Sequence, residues 1–497
     1  MSGSAPQRVA LALVSHTNVG KTTLARTLLG RDVGTVRDAP HVTETAERFT
    51  LAETPSGDAL ELWDTPGFGD SVRLARRLAQ RGNALGWFLT EVWDRFRDRA
   101  FWSTQQAVRA ALDHADVVLY LVNAAEGPQA AGYVEPEMKV LELIGRPVLV
   151  LLNQIGRPRS AGDEAALVAD WQRHLGAYAG VRAVLPLDAF ARCWVQESAL
   201  LEAVRATLPA DRHAPFDRLA AAWRERREAT FAQSMQVLAQ RLARAAFDRE
   251  PVAGEGLRGR LRELGTALGL PGGDEATPRQ AAMAALAARL DADIRAGTDR
   301  LIALHGLGGH AREQILNRLA EHYAVSERLS EGKAALLGGA ITGALTGLKA
   351  DIASGGLTLG GGLLLGGVLG ALGAAGLVRG YNVVRGTEQT HIAWTDEVLD
   401  GLVASALLAY LAVAHFGRGR GEWSEPEHPA HWQEAVQAVL QEQRTGLTSI
   451  WAQRTDRCTE QTLVDPLQGE LARAARAVLA RLHPQSARAA RKHAAAG

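Results

Sequence analysis

The residues best suited to chemistry lie near the N-terminus, in the run SHTNVGKT at positions 15–22. This run nearly matches G-x-x-x-x-G-K-[ST], a loop whose backbone N–H groups surround phosphates at the start of a helix. In such a loop Lys21 reaches the β- and γ-phosphates, and the Thr22 hydroxyl ligates Mg²⁺. Ser15 departs from the pattern, because it stands where the first glycine is expected. The run therefore predicts a nucleotide-binding site.

A phosphate-binding loop of this kind connects a strand to a helix, and the sequence predicts both elements. An apolar, β-branched run over 9–14 predicts a buried strand, and leucines at helical spacing predict a helix after the loop. The predicted nucleotide-binding residues of the loop are Ser15, Asn18, Val19, Gly20, Lys21, Thr22 and Thr23.

A second motif, DTPG at 64–67, follows a predicted hairpin with strands at 48–53 and 59–63. An aspartate at the end of a strand beside a phosphate loop holds the Mg²⁺ shell through water, which assigns that role to Asp64. The Gly67 N–H is placed to sense a γ-phosphate.

Together with PHVT at 40–43, these motifs resemble the first three motifs of Era/TrmE-like GTPases, over about residues 8–210. The resemblance implies that Thr43 is a switch threonine that closes over Mg²⁺ and the γ-phosphate, with Lys21 and Thr43 as catalytic residues. Thr45 is the alternative, and a capping or turn role remains open for both threonines. The resemblance also implies that Asn18 is a K⁺ ligand, which would stabilise phosphate charge, unless it only stabilises the loop turn.

Two positions depart from that family's pattern. Phe68 follows Gly67 where many small GTPases carry a water-orienting glutamine, so slow hydrolysis is expected. The fourth motif, N-K-x-D, is NQIG here: Asn153 and Gln154 remain as nucleotide-binding residues, but Gly156 replaces the carboxylate that pairs with guanine. Asp188 either supplies that carboxylate or caps local backbone. Preference for guanine is therefore implied by the resemblance alone.

The composition limits the kinds of partner. In 497 residues, 55 Lys+Arg balance 55 Asp+Glu, which gives no basic field, and no nucleic-acid partner is expected. The two cysteines, Cys193 and Cys458, are too few for a disulfide framework, and neither has metal-ligating residues nearby in the sequence. With no signal-peptide pattern, a reduced, cytoplasmic protein is expected.

The fold class predicted is an α/β P-loop NTPase domain over 1–213, followed by an all-α domain. That second domain is divided into 214–333, a glycine-rich apolar hairpin at 334–380, and 381–497. Long amphipathic helices are predicted at 216–247 and 279–304, where strand patterns are missing.

The hairpin contains two uncharged apolar runs, 334–348 and 352–378, with glycines at every fourth position in parts of each. Small residues at this spacing let helices approach closely in lipid, which predicts membrane contact through 334–378 at the cytoplasmic face of the inner membrane. The alternative is a tightly packed soluble hairpin. A third apolar run, 402–416, is placed along a membrane interface.

A long segment, 70–115, follows the DTPG motif and predicts helices rich in aromatic residues, including Trp87, Phe88, Trp93 and Phe96. It either docks a protein partner or packs as core. The whole arrangement resembles a bacterial group with an Era-like domain joined to a helical domain of unknown function (DUF3482-like), through the NQ variant and AHFGRGRGEW at 414–423.

These features predict a P-loop GTPase, an NTP phosphohydrolase that acts as a slow, membrane-associated switch and uses GTP, Mg²⁺ and K⁺. A nucleotide-binding scaffold with negligible turnover or relaxed base specificity remains the alternative, because of Phe68 and Gly156. An RNA-linked assembly GTPase also fits the N-terminal half, but the neutral charge balance argues against it.

Overall fold

The structure is a computed structural model of the chain. It describes residues 6–31, 33, 45–79, 98–155, 161–189, 193–252, 278–307, 381–385, 390–416, 430–455 and 457–484. Four predicted features lie outside these ranges: Thr43 with its motif, Gly156, the aromatic residues between 87 and 96, and the apolar runs over 334–378.

The N-terminal half is built on a six-stranded sheet, as an α/β P-loop fold requires. Its strands are β1 (Arg8–Ser15), β2 (Glu47–Glu53), β3 (Ala59–Asp64), β4 (Val117–Asn123), β5 (Val148–Asn153) and β6 (Val181–Pro186). Their order is β2-β3-β1-β4-β5-β6, with β2 antiparallel to β3 and the other neighbours parallel. This confirms the predicted fold class.

Continuous apolar sequence forms the central strands because both faces of the sheet are covered. Side chains alternate between the faces, so Leu13 and Leu119 belong to one buried cluster while Val14 and Tyr120 belong to the other. The helices of this half are α1 (Lys21–Leu29), α2 (Ser71–Leu78), α3 (Arg99–Asp113), α4 (Val134–Ile144), α5 (Ala161–Leu175) and α6 (Trp194–Thr207).

The parallel arrangement brings the carboxyl ends of β1, β3 and β5 to the same edge of the sheet. The phosphate loop follows β1, the DTPG motif follows β3 and the NQIG motif follows β5. Ligands of open α/β sheets bind at this edge, so the topology positions the three predicted motifs together.

The remaining helices are α7 (His213–Phe247), α8 (Pro278–Leu304), α9 (Asp396–Ala414), α10 (Ala430–Glu442), α11 (Arg444–Trp451) and α12 (Glu460–Leu482). The predicted helices at 216–247 and 279–304 correspond to α7 and α8. The prediction of a helical second domain is confirmed by these helices. A small antiparallel sheet of β7 (Arg249–Pro251), β8 (Tyr381–Arg385) and β9 (Thr390–Trp394) is also present. Its strands have three to five residues, too short for a reliable alternation pattern.

The chain divides into two compact units. The first comprises Met1–Thr230, Ala414–Pro429 and Leu479–Gly497, and the second comprises Phe231–Val413 and Ala430–Val478. Within the first unit, Phe216 and Trp223 of α7 join the apolar cluster that contains Leu11 and Leu13. The unit therefore extends past position 213, where the sequence places the domain boundary, because the first turns of α7 complete the core of the sheet.

Most of the third apolar run forms α9, whose side chains are largely buried. Among the described residues, α9 is the one helix that is long and apolar enough to span a membrane by length and composition. Its most apolar 18-residue window has a mean hydropathy of 1.7, and 72% of this window is buried inside the protein. Tyr410 packs edge-on against Phe231 and His305. The expectation that this run lies along a membrane interface is thus replaced by core packing, since its apolar face is already covered by protein.

Candidate functional site

Lys21 is a buried cation at the start of α1. Its side chain is 7% exposed, and its Nζ donates to Ser15 Oγ at 2.9 Å and to the His16 carbonyl at 3.4 Å. Burial lowers the pKa of Lys21 to about 8, while the charges of Asp64 and Glu137 act in the opposite direction. The serine that replaces the first glycine thus supplies an acceptor that orients the lysine.

The backbone of the loop takes conformations that favour glycine. Gly20 has a φ of 95° and Asn18 a φ of 64°. A Cβ at position 20 would lie 2.8 Å from Asn153 Nδ2, closer than side chains pack. The glycine is therefore required both by the left-handed turn and by the close approach of the β5 loop.

The Thr22 hydroxyl and the Asp64 carboxylate form a pair at the sheet edge. Thr22 Oγ1 donates to Asp64 Oδ2 at 2.6 Å, and Asp64 is 2% exposed. Asp64 Oδ1 is buried and has no hydrogen-bond partner in the part of the chain that the structure describes. Burial raises the pKa of Asp64 to about 6, although the Thr22 hydrogen bond and the charge of Lys21 lower it.

This corner fits Mg²⁺, which prefers oxygen ligands and is commonly held by a hydroxyl and a carboxylate. A divalent cation would compensate the buried charge of Asp64 and engage the oxygen that lacks a protein partner. Thr22 and Asp64 are thus brought together as the sequence predicted.

Gly67 lies directly against the phosphate loop. A Cβ on it would come within 2.9 Å of Thr17 Cα. The next residue, Phe68, donates its N–H to the Ser15 carbonyl at 2.9 Å, and its ring is fully buried in the cluster that contains Val14 and Phe101. The side chain at this position is therefore part of the core and offers no group to orient a water molecule.

Asn153 joins three segments of the site. Its Nδ2 donates to the Val19 carbonyl at 2.6 Å, and its Oδ1 accepts from the Ala189 N–H at 2.7 Å. Gln154, with a φ of 54°, donates from Nε2 to the Asn18 carbonyl at 3.4 Å. The structure thus brings both predicted residues to the loop at 18–20.

Asp188 is buried, and its Oδ2 accepts from the Ile155 N–H at 2.8 Å. Of the two roles that the sequence left open, the one seen here is the stabilisation of local backbone. Gly156 lies outside the described residues. Of the two threonines considered for switch I, Thr43 also lies outside them, and Thr45 is exposed.

Sequence reasoning missed a buried carboxylate beside the loop. Glu137 is fully buried; its Oε1 lies 2.8 Å from His16 Nδ1, and its Oε2 accepts from Tyr120 Oη at 2.7 Å. The Ser71 hydroxyl, at the start of α2, also hydrogen-bonds to it. The available signal was the helical spacing that places Glu137, but not the neighbouring Glu135, on the apolar face of α4 with Met138 and Leu141.

Two known protein families match parts of this chain. Residues 175–483 match the family described as "Domain of unknown function (DUF3482)". That match covers more than half of the chain. The chain belongs to the DUF3482 family. Residues 10–154 of this DUF3482 protein match the family described as "50S ribosome-binding GTPase". Its N-terminal domain is thus a P-loop GTPase domain of the kind that binds guanine nucleotides, which confirms the predicted Era-like domain joined to a DUF3482 region.

Curated relatives that are GTPases match about a third of the chain. The DUF3482 protein is 29% identical to GTPase Der of Mycolicibacterium vanbaalenii over 174 residues, which are 35% of this chain and 30% of that protein. It is 27% identical to GTPase Der of Bacillus thuringiensis over 155 residues, 31% of this chain and 28% of that protein. The chain therefore spans less than a third of the length of these relatives.

Among solved structures, the DUF3482 protein is similar to Era in complex with MgGDPNP and nucleotides 1506–1542 of 16S ribosomal RNA. The sequence identity is 19% and the TM-score 0.31, over 41% of this chain and 58% of that chain.

Proposed function

We propose that the protein is a GTP-operated switch that hydrolyses GTP slowly. The main support for this proposal is a pair of buried hydrogen bonds at one edge of the sheet. Lys21 donates to Ser15, and Thr22 donates to Asp64, so both charged groups are held at the phosphate loop. Together, a buried lysine, a hydroxyl and a carboxylate at one edge of the sheet suit a triphosphate with a divalent cation.

Each residue of the site has a distinct role toward the phosphates or the metal ion. Lys21 and the N–H groups at the start of α1 stabilise negative charge on the phosphates. Thr22, with Asp64 acting through water, holds Mg²⁺, which neutralises charge that develops on the phosphate oxygens. Gly67 contributes its N–H near the terminal phosphate, and Thr43 closes over the site in the nucleotide-bound state.

Slow hydrolysis is supported by Phe68. Its ring is fully buried in the core, so the position that carries a glutamine in many small GTPases contributes nothing to the attacking water. Asn18, whose backbone is left-handed within the loop, is proposed to hold K⁺ near the phosphates, where a fixed cation would offset this deficit. The competing function is a nucleotide-binding scaffold with negligible turnover.

Guanine preference rests on the family relationship, since no carboxylate stands at position 156. Asp188, the other acidic candidate, already accepts the Ile155 N–H. We include selectivity for GTP over ATP in the proposal, with relaxed selectivity as the alternative outcome.

Attachment to the cytoplasmic face of a membrane is the second part of the proposal. Its support is the sequence of 334–378, with its apolar, glycine-spaced runs of 15 and 27 residues. A protein partner at the membrane would receive the nucleotide-dependent signal.

The decisive variant is Lys21→Ala, with Lys139→Ala as a matched control, because Lys139 is an exposed lysine that pairs with Glu135 on its own helix, α4. Charge-assisted contacts to phosphate contribute about 1.5–3 kcal/mol, so Lys21→Ala is expected to weaken binding of a fluorescent GTP analogue roughly 10- to 100-fold. Lys139→Ala is expected to bind like the wild type. Far-UV circular dichroism of each variant verifies the fold.

Single-turnover hydrolysis in K⁺ and in Na⁺ then separates the switch from the scaffold. The switch proposal expects a measurable rate that K⁺ increases. Rates equal to those of free nucleotide in both salts, with and without lipid vesicles, would contradict it in favour of the scaffold. Equal affinity of Lys21→Ala and wild type would place the nucleotide elsewhere.

A further inference from the structure

We propose that Cys193, His415 and His483 form a binding site for a zinc-class divalent cation, separate from the nucleotide site. One ligand atom from each residue lies within 4.8 Å of the other two. Cys193 is fully buried, and His415 is 7% exposed. All three belong to the first compact unit.

The two imidazoles converge through the same atom. His415 Nε2 and His483 Nε2 are 2.9 Å apart, and the rings stack with centroids 5.2 Å apart and an interplanar angle of 26°. Two nitrogens that share a tetrahedral metal with bonds of about 2.0–2.1 Å lie roughly 3.3 Å apart, so binding an ion requires the rings to separate by only about 0.4 Å. The thiol of Cys193 faces the same volume.

Each ligand stands beside a regular element that limits its motion. Cys193 directly precedes α6, and its N–H donates to Gln196 Oε1 at 2.9 Å. His415 directly follows α9, and the N–H of His483, after α12, donates to the Leu479 carbonyl at 2.9 Å. The donors are therefore held together by the fold, which lowers the entropy cost of binding an ion.

The donor set selects the kind of metal. Two imidazole nitrogens and one thiolate suit Zn²⁺, which accepts three protein ligands and leaves a fourth position for water or another ligand. Mg²⁺ prefers oxygen, so the corner at Thr22 and Asp64 and this cluster select different ions.

A simple hydrogen bond is the competing explanation for the histidine pair, because one neutral imidazole can donate to the other. That bond involves the two rings alone, and the Cys193 side chain also accepts from the backbone of Gln196 in the capping box of α6. The proposal rests on the convergence of all three donors within 4.8 Å. The ligands come from positions 193, 415 and 483, so the sequence around each cysteine carries no local metal-binding motif.

The test is a titration of the full-length, reduced, nucleotide-free protein with Co²⁺, a spectroscopic substitute for Zn²⁺, followed by displacement with Zn²⁺. We expect one Co²⁺ per chain and a thiolate-to-cobalt charge-transfer absorption, which an oxygen site cannot produce. Cys193→Ser should abolish that absorption, whereas Cys458→Ser, at the half-exposed second cysteine, should retain it.

His415→Gln and His483→Gln provide an independent measurement if Cys193→Ser does not fold. Each is expected to weaken Co²⁺ binding by at least about tenfold, since even outer-shell changes reach that size. Binding of a fluorescent GTP analogue verifies that each variant is folded and reports on the nucleotide site separately. Wild-type protein that binds Co²⁺ without the charge-transfer absorption, or an unchanged absorption in Cys193→Ser, would overturn the proposal.

Discussion

At the scale of single residues, Gly20 shows how tightly the phosphate loop is assembled. Its φ of 95° is left-handed, and an added Cβ would lie 2.8 Å from the amide nitrogen of Asn153. Gly30, at the other end of α1, has a φ of 68°, but an added Cβ would meet no described atom within 4 Å. Comparing substitutions at these two glycines therefore distinguishes the free-energy cost of a strained backbone from the cost of steric crowding.

Gly30→Ala is expected to lower the free energy of unfolding by about 1 kcal/mol, the typical cost of a left-handed alanine. Gly20→Ala should cost more and should also reduce GTP affinity, because the new methyl displaces the Asn153 side chain that holds the Val19 carbonyl. Urea unfolding and titration with a fluorescent GTP analogue measure the two effects. Equal losses of stability and equal affinities in the two variants would mean that the close approach at Gly20 has no consequence.

A substitution at Phe68 tests whether the glutamine that many small GTPases carry at this position can be restored. Phe68→Gln would bury an amide in an apolar cluster, which is expected to lower the free energy of unfolding by about 2–4 kcal/mol. No increase in GTP hydrolysis is expected, because the side chain at this position points into the core. Phe68→Leu, which keeps the site apolar, is the control and should cost less. Faster hydrolysis by a stable Phe68→Gln protein would show that the side chain can reach the nucleotide.

At the scale of elements, Glu137 connects the phosphate loop with β4 and α2. From α4 it hydrogen-bonds to His16 in the phosphate loop, to Tyr120 on β4 and to Ser71 at the start of α2. His16 also stacks on Tyr133 with centroids 4.8 Å apart. A shift of α2 would therefore displace the Glu137 carboxylate and, through it, the His16 side chain in the phosphate loop.

The environment of Glu137 predicts a pH dependence of stability. Burial raises its pKa above the usual 4.5, although the His16 and Tyr120 hydrogen bonds act in the opposite direction. As the pH rises from 4.5, the unfolded chain releases this proton before the native chain does, so the contribution of Glu137 to stability is lost through its native pKa. Thermal unfolding of the nucleotide-free protein as a function of pH should show this decline.

Glu137→Gln should remove that decline, because the amide does not titrate. Glu135→Gln is the control on the same helix: the pKa of Glu135 is lowered by its hydrogen bond to Lys139, so its contribution is lost as the pH falls. If the pH dependence of Glu137→Gln parallels that of the wild type, another group is responsible for it.

Most secondary structure could be predicted because it is encoded locally. Apolar runs at 117–122 and 148–152 indicated buried parallel strands, and the structure extends each only by an asparagine. The hairpin of β2 and β3 was likewise predictable from its turn. Strand β7 was not, because its partner β9 lies about 140 residues further along the chain. Strands β8 and β9 pair locally, but each has only five residues, too few for a clear alternation pattern.

At the scale of the whole molecule, the chain combines a GTPase domain with a larger DUF3482 region, matched over residues 10–154 and 175–483. The apolar helix α9 is mostly buried inside the protein. The proposed membrane attachment rests on the sequence of 334–378.

We expect native-level protein to remain in the membrane pellet after washes with high salt and then with alkaline carbonate. Changing Leu363, Leu364 and Leu365 to aspartate should move it to the soluble fraction, because each charge in a bilayer centre costs about 3 kcal/mol. Leu143→Asp, at an exposed leucine on α4, is the control and should leave the distribution unchanged. Release by salt alone would indicate a peripheral protein, and wild-type protein found only in the soluble fraction would contradict membrane attachment.

The phosphate loop, the strand and helix around it, and the positions of Asp64 and Asn153 could be predicted from the sequence, because these signals are contiguous and depend on local geometry. Three other features become visible only in the folded chain: Phe68 points into the core, Asp188 stabilises the loop after β5, and Glu137 hydrogen-bonds to His16 in the phosphate loop. The tertiary structure also brings Cys193, His415 and His483 together. The physical reason is the same in each case: these contacts join residues far apart in sequence, and they exist only once the ends of strands and helices have been packed against one another.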